Sequence, residues 1–145
     1  MATPAEIAVT VFSQNFNCSQ SVFSAFAEKF GLDRETALKL ASPFGGGVAR
    51  RGEICGAVTG ALLALGLARG ADKPADKEAI YRLSQEFMRL FEQKHTSLLC
   101  RDLIACDLST PAGHQAAKEK GVFTTICPLL VRDAVEISQK LLEAA

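Results

Sequence analysis

The stretch Gly52-Glu53-Ile54-Cys55-Gly56-Ala57-Val58-Thr59-Gly60-Ala61-Leu62-Leu63 decides how the chain is read. Its apolar residues do not alternate with polar ones as a half-buried strand requires, and the run from Ile54 to Ala68 carries no charge. That run falls short of the ~20 residues that span a bilayer, so it reads as a buried helix beginning near Gly52. Gly56, Gly60 and Ala64 recur at four-residue spacing and share one face of it. A face without side chains lets another backbone, or a bulky inorganic group, come close.

Working outward, helical periodicity runs through almost the whole chain. Towards the N-terminus, Pro4 to Phe30 places Ile7, Val11, Val22, Phe23, Phe26 and Phe30 at apolar positions. Ser13-Gln14-Asn15-Phe16-Asn17 breaks it before a second piece starting near Cys18, and Gly31 closes it as a helix C-cap. Asp33 is an N-cap for a short helix that Pro43 and Gly45-Gly46-Gly47 end. That glycine loop reads as a flexible connector. Towards the C-terminus, Ile80, Leu83, Phe87, Leu90 and Phe91 form the apolar stripe of a helix reaching about Lys94. Ser97 starts a short helix over Leu98–Ile104, Thr110-Pro111 starts another that Gly121 ends, and Cys127-Pro128 opens the last. The expectation is a single all-α domain over residues 1–145, a bundle of about five to seven helices.

Composition narrows the function. Across 145 residues, 16 Lys+Arg balance 16 Asp+Glu, and the only adjacent basic pair is Arg50-Arg51, so no counterion-releasing surface for nucleic acid is present. DNA, RNA and anionic membranes are set aside. No Lys or Arg precedes Lys29, which is unlike the charged start of a secretory signal, and a cytoplasmic location follows as an expectation. Five cysteines in such a chain argue against a disulfide framework and for thiols that are reduced, metal-bound or redox-active.

The cysteines share a placement. Cys18, Cys55, Cys100 and Cys127 each fall in the first turn of an expected helix, and Cys106 lies just past the end of a short one. A helix start carries about half a positive charge, which favours thiolate over thiol. If the bundle brings these helix ends together, they form a low-pKa or metal-binding cluster. The chain has neither Cys-x-x-Cys nor a haem attachment motif, so no covalent haem is expected. The competing reading is buried filler, since free Cys is among the most buried residue types. In that case the chain is a non-catalytic interaction or assembly module that forms a homodimer through an apolar helix face. A third reading pairs a nucleophilic Cys with His95 or His114 as base. His95 reads as an exposed cap after a long helix, and His114 as exposed on a polar one.

Asn17-Cys18-Ser19-Gln20, Phe44-Gly45-Gly46-Gly47, the Gly52–Ala61 stretch, Cys100-Arg101-Asp102-Leu103 with Cys106-Asp107-Leu108, and Cys127-Pro128 together resemble the C_GCAxxG_C_C family, from about Phe16 to Leu142. Its cysteines fall on Cys18, Cys55, Cys100 and Cys127, with Cys106 as a frequent fifth, and its Cys-Gly-Ala-x-x-Gly motif on Cys55 to Gly60. The resemblance implies a redox protein with a redox partner. A similar module in the split-Soret cytochromes stands beside haems and an iron-sulfur centre, of which only the sulfur-ligated centre could be shared here. The four cysteines are thus expected as redox-active thiols, or as ligands of an iron-sulfur cluster or other thiolate-bound metal, with Gly56 and Gly60 allowing a group to approach.

Overall fold

The computed structural model describes residues 1–144, and the chain is built from helices. Thr3 opens α1 (Pro4–Ser13) through a capping box with Glu6, and Asn17 opens α2 (Cys18–Ala27) through the same reciprocal arrangement with Gln20. Gly31, at φ +88°, ends the 3₁₀ turn that follows α2, and the Asp33 carboxylate accepts from the Thr36 N–H to start α3 (Arg34–Ala41). The chain continues through α4 (Gly56–Arg69), α5 (Lys77–His95), α6 (Cys100–Ile104), α7 (Pro111–Glu119), α8 (Val122–Thr125) and α9 (Cys127–Ala144). The all-α class holds. The described residues contain nine α-helices, above the expected five to seven; two are single turns, α6, expected over 98–104, and α8, which is too short to leave a periodic signal.

The segment before α4 differs from its expected form. Helix does not begin at Gly52: that residue has φ +72°, and Ile54 pairs with Leu99 in an isolated antiparallel bridge. The Cys55 N–H donates to the Leu98 carbonyl at 2.8 Å and the Cys100 N–H to the Glu53 carbonyl at 2.7 Å. The preceding glycine loop is no loose connector either. Gly46, Gly47, Val48, Ala49 and Arg50 all have φ between +50° and +73°, a left-handed turn tied by Ala49 N–H to Pro43 O at 2.8 Å and Glu53 N–H to Gly47 O at 2.9 Å. Local spacing does not reveal such a turn, because three of its five members are not glycine.

The core lies where α2, α4, α5 and α9 meet, with Val22, Val58, Leu65, Phe87, Phe91, Val131 and Val135 fully enclosed. Ile7, expected at an apolar position, is 43% exposed. His95 was expected as an exposed cap, but its side chain is only 12% exposed and its Nε2 lies 2.8 Å from the Asp133 carboxylate, which Lys94 also approaches at 3.2 Å. Asp133 is a buried carboxylate on α9, and such a group requires partners. Among the described residues no helix is long and apolar enough to cross a membrane.

The most extensive helix–helix contact is between α2 and α4. A Cβ built on Gly60 would stand 2.6 Å from the Ser19 carbonyl oxygen and 3.0 Å from its Cα, both backbone atoms that cannot swing aside. One on Gly56 would meet the Ser19 nitrogen at 3.0 Å and Cys18 Cβ at 3.1 Å. The shared face of α4 therefore seats α2. Gly66, on the same helix, has nothing within 4 Å of such a Cβ. Accordingly Gly60→Ala should lower unfolding stability by about 1–3 kcal/mol through overpacking. Gly66→Ala should raise it by roughly 0.5–1 kcal/mol through helix propensity. Urea titrations of the two variants check both signs.

Candidate functional site

Four helix starts carry the four expected cysteines. Cys18, Cys100 and Cys127 are the first residues of α2, α6 and α9, and Cys55 is the N-cap of α4. Each is positioned by something different. The Asn17–Gln20 box fixes Cys18, with Asn17 Nδ2 also donating to the Ser42 carbonyl at 3.0 Å. The bridge between Ile54 and Leu99 sets Cys55 and Cys100 on its two flanks. Gly47 leaves room for Cys100, since a Cβ there would come within 2.7 Å of the Cys100 Cβ. Pro128, which needs no backbone donor at a helix start, follows Cys127.

All four line one cavity of about 1080 Å³. Cys18 is partly exposed, while Cys55, Cys100 and Cys127 are buried. Their thiols lie within electrostatic reach of one another, for charge on Cys127 acts on Cys18, Cys55 and Cys100 alike. Gly56 also lines the cavity, whereas Gly60 does not, because its open side is filled by Ser19 of α2. Cys106 is buried beside Cys100 in a satellite apolar cluster and lines a separate cavity of about 550 Å³ with Arg51, Arg101 and Asp102.

Helix starts were expected to lower all four thiol pKa values, and three go the other way. The contact between the Cys18 and Cys127 side chains is the largest influence on both. It raises Cys18 well above the ordinary thiol value, with burial adding to the rise, and lowers Cys127 against the opposing effect of burial. Burial pushes Cys55 up to about 11, although the Ala57 and Val58 N–H groups pull the other way, and pushes Cys100 up to about 12. Desolvation thus outweighs the partial charge of the helix end at Cys55 and Cys100. Of the four, Cys127 alone is shifted towards the thiolate.

Two further residues line the cavity: His114, a candidate base expected to be exposed, and Lys118, which was not read as a site residue. His114 is half-buried rather than exposed, with its ring 5.6 Å from that of Phe123, and Lys118 lies one helical turn beyond it on α7. The four-residue spacing of His114 and Lys118 was the available signal. His95 is committed to Asp133 and does not line the cavity. Among the described residues no three His, Cys, Asp or Glu side chains are grouped to hold a single metal ion.

A family model described as "Putative redox-active protein (C_GCAxxG_C_C)" matches residues 16–141. No curated protein and no solved structure matches the chain. The thiol ordering has a direct consequence. With iodoacetamide between pH 6 and 9, peptide mapping should find Cys127 alkylated at lower pH than Cys18, Cys55 or Cys100. Cys55 and Cys100 should remain largely unmodified over this range while the fold persists. Equal pH profiles at the four positions would contradict this ordering.

Proposed function

The chain belongs to the C_GCAxxG_C_C family, and on that premise we propose that it is a redox protein whose chemistry is thiol–disulfide exchange at the Cys18–Cys127 pair. What supports this reading is two neighbouring thiols opening onto one cavity, each the largest influence on the other, which raises Cys18 and lowers Cys127. That is the asymmetry an attacking and a resolving cysteine need.

In the forward direction the Cys127 thiolate bonds to one sulfur of an incoming disulfide. The disulfide bond breaks, and its electron pair leaves on the other sulfur as a thiolate. Cys18 then loses its proton to that thiolate and attacks the Cys127 sulfur of the mixed disulfide, releasing the second half of the substrate, which takes up a proton. The pair ends as a disulfide, two electrons having passed to the substrate. A dithiol reductant reverses the sequence. Cys55 and Cys100, with their high pKa values, stay as neutral thiols in the same cavity.

A second reading is favoured by the donor set itself, four cysteines around one cavity, which suits an iron-sulfur cluster. Cys18, Cys55, Cys100 and Cys127 would hold it, and it would supply one-electron transfer. The spacing that provides no single-ion site does not favour zinc or another lone metal.

Two measurements separate these readings. On protein purified without oxygen, iron and sulfide analysis should find neither in stoichiometric amount, and mild oxidation should reduce the five titratable thiols to three. Cys18→Ser should accumulate a mixed disulfide at Cys127 when given a small disulfide, and Cys127→Ser should form none. Stoichiometric iron and sulfide with visible absorption would favour the cluster. No change beyond stability in either variant would favour the assembly module.

A further inference from the structure

The charged side chains that line the thiol cavity are of one sign. Arg50 and Lys118 both face it, and no Asp or Glu does. Neither cation forms an ion pair with a described residue, whereas the adjacent Arg51 is paired with Glu53 at 3.4 Å. They come from separate elements. Arg50 sits on the left-handed turn, its N–H donating to the Gly45 carbonyl at 2.9 Å, with φ +64°. Lys118 lies on α7 one turn beyond His114, which also lines the cavity. A left-handed backbone at a non-glycine residue costs roughly 1–2 kcal/mol, so the conformation that presents Arg50 is maintained against strain.

Size adds a second constraint. Cys127 is 6% exposed and is reached through the cavity, not across an open surface. The volume of about 1080 Å³ lies just above the range for small-molecule sites, about 300–1,000 Å³. A disulfide carried on a folded protein surface is poorly placed to enter such a space.

We propose that the cavity takes a small anionic disulfide, a low-molecular-weight molecule whose carboxylates are held by Arg50 and Lys118 while one of its sulfurs meets Cys127. This rests on the thiol-exchange reading and names its substrate class. A thiolate and an anionic disulfide repel each other, and two unpaired cations at the cavity wall offset that repulsion where the sulfurs must meet. The bond from Cys127 to the near sulfur forms as the substrate disulfide breaks. The leaving thiolate carries its own carboxylate away, and Cys18 completes the exchange as above.

The test uses the reduced full chain and three small disulfides: anionic dithiodiglycolate, neutral bis(2-hydroxyethyl) disulfide and cationic cystamine. Each rate of thiol loss is divided by the rate for the same disulfide with a short uncharged cysteine peptide, which removes intrinsic reactivity. The anionic disulfide should be favoured by about tenfold over the neutral one, the lower end of electrostatic steering, and the cationic one disfavoured. Added salt should shrink the preference. The double variant R50Q/K118Q should lose it, and R50K/K118R should keep it. Equal normalised rates for the three disulfides, or a preference that survives R50Q/K118Q, overturns the proposal while leaving thiol exchange standing. Inertness of all three disulfides removes both.

Discussion

The contact on which the site depends is the one between α2 and α4, where Gly56 and Gly60 give α4 a face without side chains and the Ser19 backbone fills it. Helices packed through ordinary side chains have axes about 8–10 Å apart, and removing those side chains permits a closer approach. Cys18 precedes Ser19, and Cys55 precedes Gly56, so the same contact that joins the helices also sets two of the thiols at one end of their crossing. Cys100 arrives by a different route, through the backbone pairing of residues 53–55 with 98–100. Cys127 comes with α9, which packs on α1, α2 and α4.

Burial then decides the chemistry of those thiols. A cavity floored by Phe12, Leu103, Ile104 and Leu108 provides little solvation for charge. The partial charge of a helix start is a modest influence, and at Cys55 even two facing N–H groups leave the value at about 11. What lowers a thiol here is a specific neighbour, the Cys18 side chain beside Cys127. The raised values carry a sign for stability. Cys55 and Cys100 keep their protons in the folded state where an unfolded thiol would lose them, so their contribution is complete below the ordinary thiol value near 9 and declines as pH rises towards 11 and 12.

The sequence was informative where the physics is local. Asp33 reads as a helix start because a side-chain oxygen can meet an N–H three residues on, and it does so. Gly31 and Gly121 read as punctuation because a left-handed residue costs glycine little, and both have positive φ. The four cysteines read as helix starts for the same local reason, and the family resemblance covers the same residues that the family model matches. The bridge between Ile54 and Leu99 was not legible, since it joins single residues 45 positions apart without periodicity on either side. Asp133 was not legible either. It interrupts an apolar helix face, and its partners at Lys94 and His95 come from another helix.

The left-handed turn shows why the site is the least legible part. Val48, Ala49 and Arg50 occupy a conformation that L residues disfavour, and for Val48 the β-branch makes it worse. Nothing local would choose it. It is held because the flanking carbonyls of Pro43, Gly45, Gly46 and Gly47 all find N–H partners across it, so unwinding would leave several backbone groups in need of new ones. The glycines contribute in two ways: Gly46 and Gly47 accept positive φ, and Gly47 also lets the turn lie against Cys100. The turn therefore couples one wall of the cavity to the backbone pairing that positions Cys55 and Cys100, and places Arg50 at the same opening. A segment that reads as a connector in one dimension is, in three, the piece that joins the thiols to the charge beside them.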